Sequence, residues 1–258
     1  MTDIRIKEFT VVVPGGHIYV KQWCPRHKLR NPVLILLHDS LGSIAQWRDF
    51  PAKLAKRLSC RVIAYDRLGF GLSSPRNELP SVRFVEEEAL VYFPFLKASL
   101  AIDQYMLLGH SVGGCMAINI AAIDSDCNVL VTLSAQSHVE EMTLVGIQKA
   151  KKMFAKPEQI AKLKRWHQEK APWVIRAWTE RWLSREFRQW NLKKCIANVY
   201  CPVLVIHGDQ DEYGSNAFPE FISANTSGSA RKIILKDCGH APHKEKTEVV
   251  IDLIEEFF

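Results

Sequence analysis

The sequence contains no apolar run approaching the roughly 18 residues that a membrane-spanning helix requires, which excludes a helical membrane protein as an expectation. Its first ten residues, MTDIRIKEFT, lack the apolar stretch of a secretory leader, so a cytoplasmic location is the simplest expectation. No C-x-x-C pair occurs among the seven cysteines (Cys24, Cys60, Cys115, Cys127, Cys195, Cys201 and Cys238), which are odd in number and scattered. That spacing suggests neither a disulfide framework nor a zinc site, and it fits reduced thiols. Internal repeats and low-complexity tracts are absent too. Acidic residues run short in one segment only. Between Val139 and Tyr200 fourteen Lys and Arg stand against six Glu, so this segment carries +8 while the whole chain carries +6. Such a segment is either a solvated helical surface or a face that captures an acidic substrate or partner. Nucleic acid is not expected, because no aromatic-and-basic binding motif lies outside it.

What the 258 residues do contain is an alternation of short β-branched runs with longer helical patterns, the signature of a parallel sheet covered on both faces. The length suits one domain with room for an insertion. Strands are expected at Pro32–Leu37, Arg61–Tyr65, Gln104–Leu108, Val129–Leu133, Pro202–Ile206 and Arg231–Leu235. Phe9 to Trp23, with Pro14-Gly15-Gly16 at its middle, reads as an antiparallel hairpin on the sheet edge. Helices are expected over Ile44–Leu58, Val85–Ser99, Val112–Ile123 and Thr247–Phe257. From about His138 to Asn198 strand signals vanish, and this helical, basic stretch holds five of the seven tryptophans. Strand signals resume at Cys201. The expected organisation is therefore an α/β core of residues 1–137 and 199–258, with residues 138–198 inserted as a lid over the strand ends.

Residues 109–113 read Gly-His-Ser-Val-Gly, a G-x-S-x-G pentamer that a chain of this length contains by chance roughly one time in ten. Its position decides its meaning. Ser111 follows the apolar run Tyr105–Leu108 and precedes a small-residue helical stretch, so it stands on a sharp strand-to-helix turn whose crowding the glycines relieve. A serine hydroxyl becomes a nucleophile only when a base takes its proton and a third group holds that base. His240, in Gly239-His240-Ala241-Pro242 directly after the last expected strand, is the best base. Three other histidines lie near these turns: His110 is expected to point away from Ser111, and His38 and His207 sit at strand ends where packing suffices as a role. For the acid, Asp209 and Asp211 compete in the loop after Ile206. Asp211 is favoured because it lies far enough into the loop to reach an imidazole, while Asp209 is placed to hold the turn through backbone amides. The residues after Leu37, His38 to Ser43, are placed to supply an oxyanion donor, the backbone N–H of Ser40 acting with that of Val112.

Together these residues resemble the α/β-hydrolase superfamily: Leu37 to Gly42 as its oxyanion loop, Tyr65 to Ser73 as the turn after the next strand, Gly109 to Gly113 as the nucleophile elbow, Gly208 to Asp211 for the acid and Gly239-His240 for the base. The resemblance spans the chain, with residues 138–198 in the place of the family's helical cap. It implies a mostly parallel sheet flanked by helices and a catalytic set of Ser111, Asp211 and His240. One departure is Asp39, where the family usually has glycine after the histidine; Asp tolerates unusual backbone angles, so the donor geometry is expected to survive, and Asp39 also adds a charge near the pocket.

Relatives that displace halide or open epoxides carry aspartate at the elbow, whereas serine implies an acyl-enzyme and hydrolysis of an ester, thioester or amide. The expected chemistry needs no metal and no cofactor. A basic cap on a serine hydrolase of this length is similar to the pimeloyl-carrier-protein methyl esterases of biotin synthesis, which implies docking of an acyl carrier protein on cap arginines such as Arg176, Arg181, Arg185 and Arg188. Trp178, Trp182 and their neighbours either line an apolar channel above Ser111 or pack the lid's own core, with one or two expected to face the pocket. The alternatives are a general carboxylesterase or thioesterase, a hydrolase of C–C bonds, and a binding protein that keeps the fold without catalysis.

Overall fold

Each apolar run read as a strand is one in the computed structural model, which describes residues 4–27, 29 and 31–258. The strands are β1 Ile4–Val13, β2 Gly16–Pro25, β3 Val33–Leu37, β4 Val62–Tyr65, β5 Tyr105–His110, β6 Cys127–Leu133, β7 Val203–Gly208 and β8 Ala230–Leu235. The helices are α1 Phe50–Arg57, α2 Phe84–Glu87, α3 Phe93–Ser99, α4 Val112–Ile123, α5 Glu141–Phe154, α6 Pro157–His167, α7 Ala171–Trp182, α8 Ala217–Asn225, α9 Pro242–Glu245 and α10 Thr247–Phe257. None of them is long and apolar enough to cross a membrane, among the described residues.

One eight-stranded sheet runs in the order β1-β2-β4-β3-β5-β6-β7-β8. The hairpin β1-β2 joins β4 antiparallel, and β4 to β8 with β3 are parallel. The central strands read as continuous apolar runs because both faces are covered. Ile35, Leu37, Tyr105 and Leu107 point into the core beneath α4, while Leu34, Leu36, Met106 and Leu108 meet α1 and α10 on the other side. β4 lies on one side of β3 and β5 on the other, so the strand order reverses there. The chain leaves β3 toward one face and β5 toward the other, which opens a crevice at their C-terminal ends. Residues 38–43 and Ser111 both emerge at that crevice.

Two expected helices are interrupted, and proline marks both. Ile44–Leu58 divides into a 3₁₀ turn, Ile44–Trp47, and α1, with Arg48 between them at φ 54°. Pro51 falls in the first turn of α1, where a missing N–H costs nothing. Val85–Ser99 is relieved by a π turn, Glu88–Tyr92, just before Pro94, which has no N–H for the carbonyl of Leu90. The helix α8 was not anticipated.

The chain between β6 and β7 holds α5, α6 and α7 with short 3₁₀ turns, and a bridge between His138 and Asn191 draws its two ends together. Its second half is fused to the main core: Trp182, Phe187 and Trp190 pack with one another and with the residues beneath α4. Only Leu163, Ala171 and Ile175 form a separate small cluster, which Trp166 covers. The reading in which the tryptophans pack a core of the insertion's own is thus corrected for most of them. The insertion sits so low on the sheet that its aromatic side chains have the main core to bury against.

The elbow is the tightest place in the fold. A Cβ on Gly113 would lie 2.2 Å from the Leu37 carbonyl oxygen, and one on Gly109 would lie 2.3 Å from that of Gly113. Both obstacles are backbone, which cannot swing aside. Gly113→Ala is therefore expected to lose on the order of 3 kcal/mol of stability, read as a fall in the urea midpoint at unchanged m-value. A midpoint within error of wild type would show that α4 can shift away from β3.

Candidate active site

Ser111 is the residue between β5 and α4, and its backbone is strained: φ is 54° and ψ −127°, a region that side chains other than glycine rarely occupy. Its N–H bonds the Leu133 carbonyl at 2.8 Å, and its own carbonyl accepts from Gly114 at 2.8 Å. These bonds hold the turn against a strain of about 1–3 kcal/mol. The hydroxyl is turned into a cavity at the mouth of the crevice, and Oγ accepts a hydrogen bond from Gln136 Nε2 at 3.1 Å. With a donor already on Oγ, the serine's own proton is left for another acceptor. Cys115, one turn into α4, is fully buried and donates its thiol to the Gln136 carbonyl; burial pushes the thiol up, away from reactive thiolate.

The loop after β8 brings His240 onto the same cavity wall as Ser111. Its Nδ1 lies 2.8 Å from each carboxylate oxygen of Asp211. Asp211, with its side chain 1% exposed, also accepts from Tyr213 N–H at 2.8 Å. Burial pushes its carboxyl up, but the bond and charge of His240 outweigh burial and leave it below the usual range. The opposite balance holds at His240: burial pulls the imidazole down, the Asp211 bond and charge push it up, and it ends above its ordinary value. Asp209 stays exposed and accepts from Cys238 N–H at 3.3 Å, holding the turn. With Nδ1 committed to Asp211, Nε2 is the nitrogen free to serve as a base.

His110, expected to point away from Ser111, and His38, expected to pack, both do more than that. His110 donates from Nε2 to the His240 carbonyl at 2.8 Å, and its Nδ1 meets Asp39 Oδ2 at 3.1 Å. The Asp39 carboxyl is pushed up by burial, yet the bond and charge of His110 hold it well below the usual carboxylate range. Its other oxygen accepts from Leu41 N–H at 2.8 Å, which shapes the loop. His38 is buried and neutral, desolvation holding it well below its ordinary value; Nδ1–H donates to the Asp39 carbonyl at 2.8 Å and Nε2 accepts from Arg67 N–H at 3.1 Å. His207 turns back to the Gly214 carbonyl at 3.1 Å.

The cavity has a volume of about 210 Å³. Ser40 and Leu41 form its floor with Ser111 and His240, Thr143 and Ile147 come from α5, and Trp178 and Trp182 from α7. Tyr213 closes one side, its ring centroid 4.9 Å from that of His240. Val112, at the first position of α4, has a backbone N–H without an intrahelical acceptor, as helix starts do. The arginines do not form one helical patch. Arg176, paired with Glu180, and half-buried Arg181 lie on α7, whereas Arg185 and Arg188 are exposed on the turn beyond it, because the helix ends at Trp182.

Sequence reading missed Gln136 and His167. Buried His167, at the end of α6, donates from Nε2 to the Leu41 carbonyl and accepts Gly71 N–H at Nδ1, both at 2.9 Å. Lys170 donates to the Ser73 carbonyl and Trp173 to that of Glu78. The insertion is thereby tied to the loop that carries Ser40. No local pattern announces these residues; each acts through a partner at least 25 positions away.

The fold and this crevice are those of a hydrolase class, and residues 34–253 match the model of the alpha/beta hydrolase family. The chain belongs to that family. Protein phosphatase methylesterase 1 of Bos taurus is 34% identical over 93 residues, 36% of this chain and 24% of that protein. A proline iminopeptidase of Lactobacillus acidophilus is 38% identical over 93 residues, 36% of this chain and 31% of that protein. The chain thus matches only about a quarter of the length of the first and a third of the second. Among solved structures, a carboxylesterase from Bacillus subtilis superposes with a TM-score of 0.73 at 19% identity, over 99% of this chain and 92% of that one.

Proposed function

We propose that the protein is a serine carboxylic-ester hydrolase that works through an acyl-enzyme. The observation that carries the reading is the buried Asp211–His240 pair at 2.8 Å opening onto the same small cavity as the strained Ser111. Ser111 Oγ attacks the ester carbonyl while His240 Nε2 takes its proton, and Asp211 holds the imidazole and stabilises the charge it gains. The Ser40 and Val112 N–H groups receive the oxyanion. His240 then protonates the leaving alcohol, and water repeats the sequence on the acyl-enzyme.

The cavity also bears on the substrate. Among the described residues its lining has no Lys or Arg to hold a free carboxylate, and its one carboxylate, Asp39, is paired with His110, so it suits an uncharged ester end better than an anionic one. The finer reading is a pimeloyl-acyl-carrier-protein methyl ester of biotin synthesis, its carrier docked on the basic insertion. Support comes from the neutral terminal ester such a substrate presents and from the cations available: Lys149, Lys151, Lys152, Lys156, Arg185 and Arg188 are exposed and outside the ion pairs found among the described residues. The partial likeness to a methylesterase points the same way.

A substrate panel tests both levels. Carrier-bound methyl ester is expected to exceed free methyl hexanoate in kcat/KM by at least about tenfold at low salt, with the margin shrinking as salt rises. Arg185→Glu with Arg188→Glu should remove that margin and spare p-nitrophenyl butyrate. Equal rates on carrier-bound and free esters would leave a general carboxylesterase of small esters. Hydrolysis of none would sink the ester reading itself.

A further inference from the structure

We infer that Arg67, which does not line the cavity, is a positioning residue that strengthens the oxyanion donor Ser40 through the Asp39–Ser40 peptide. The inference rests on the oxyanion role proposed for Ser40 above. Arg67 lies just after β4, 5% exposed, with its guanidinium 4.3 Å above the Phe70 ring. Its Nη2 donates to the Asp39 carbonyl at 2.7 Å. The same oxygen accepts His38 Nδ1–H at 2.8 Å and Gly42 N–H at 3.2 Å. Three donors, one of them a buried cation, therefore converge on one carbonyl, which has two lone pairs to offer. His38 Nδ1 also comes within 3.4 Å of Arg67 Nη2, but both atoms carry protons, and both are committed to the carbonyl between them.

The chemistry follows from the peptide unit. Across a trans peptide the C=O and the N–H point in opposite directions, and the described backbone has no cis bond. Holding the Asp39 oxygen toward Arg67 and His38 aims the Ser40 N–H the other way, and Ser40 lies on the cavity wall. Orientation is the first effect. The second is electronic: drawing electron density to the carbonyl oxygen makes the N–H across the resonant bond a stronger donor, as in any polarised hydrogen-bond chain. During attack the Ser111 Oγ–C bond forms, the proton passes to His240 Nε2, and the carbonyl electron pair moves onto oxygen. The resulting charge is what the strengthened N–H receives, so the gain falls on the transition state rather than on bound substrate.

Arg67 also faces a buried carboxylate. Glu88, 4% exposed and accepting from Tyr65 Oη at 2.7 Å, stands within its field. Removing the guanidinium alone would strand that group, so the test pairs Arg67→Met with Glu88→Gln, with Glu88→Gln alone and Arg67→Lys beside it. Each is assayed on p-nitrophenyl butyrate and with a trifluoromethyl alkyl ketone, which adds Ser111 reversibly and places an oxyanion in the hole. For the double variant kcat is expected to fall about tenfold to a hundredfold, less than the loss of a whole donor, with KM within about twofold. The ketone's inhibition constant should rise by the factor by which kcat/KM falls. Arg67→Lys should lie between, and Glu88→Gln should match wild type. A loss carried by KM, a fall in kcat with ketone affinity intact, or no change in either would overturn the inference. If the double variant fails to fold, Arg67→Lys, which keeps the buried cation, must still move the two constants together. Failure of the underlying reading is distinguishable, since wild-type enzyme would then be insensitive to the ketone.

Discussion

Ser111→Ala is expected to lower turnover by on the order of a millionfold and to abolish labelling by a fluorophosphonate, with the residual rate coming from oxyanion stabilisation and binding alone. The same position makes a second, opposite prediction. A non-glycine residue at φ 54° and ψ −127° carries strain, and alanine keeps its Cβ and hence the strain. Ser111→Gly removes it and should be more stable than Ser111→Ala by about 1–3 kcal/mol, less the backbone entropy that glycine loses on folding. Both variants leave the Gln136 amide without its 3.1 Å partner, so that loss cancels in the comparison. An alanine variant that keeps turnover within tenfold of wild type would remove Ser111 from the mechanism. A glycine variant no more stable than alanine would show that the elbow is not strained.

The second large effect concerns Asp211. Asp211→Asn preserves shape but gives up the charge that fixes the His240 tautomer, and about a 10,000-fold loss in kcat is expected. Its signature lies in the pH profile. The base must be neutral, so activity rises with pH through the His240 pKa. In the wild type that value is held above its ordinary position, chiefly by the Asp211 bond and charge against burial. Removing the carboxylate leaves desolvation to dominate, so the acid limb of the residual kcat/KM should move to lower pH. Stability should change with the opposite sign. Asp211 is depressed in the folded state, so it stabilises the fold above about pH 4, its unfolded range, and this contribution is lost as pH falls through its folded pKa. The variant should therefore be destabilised most near neutrality and least in acid. A limb that stays in place would assign it to a different group.

Much of this was legible in one dimension. Six runs named six strands: in the five interior ones little or no polar alternation obscures the apolar run, while β8, at the sheet edge and partly exposed, was marked by Ile233, Ile234 and Leu235 after Arg231-Lys232. The elbow, the acid loop and the histidine loop could be read because each follows a strand end, and parallel strands of one sheet deliver their C-terminal ends to one edge. Helix interiors were read less well. Ile44–Leu58 and Val85–Ser99 show a helical period while Pro51 and Pro94 break it, and the competition between period and proline is settled by packing. Gln136 and His167 were invisible for another reason. A glutamine three residues past a strand and a histidine ending a basic helix look ordinary until the fold brings them to Ser111 and Leu41.

The sequence by itself determined the class of fold, the order of its strands along the chain and the residue types able to carry nucleophilic chemistry, because these depend on periodicity and on neighbours a few residues apart. Tertiary structure alone decided which aspartate meets His240, that Asp39 pairs with His110, that the tryptophans of the insertion join the main core, and that Arg67 and His38 share one carbonyl. Those are contacts between residues far apart in the chain. Their geometry is set only when the sheet closes, since a hydrogen bond depends on tenths of an ångström that no spacing along the chain encodes.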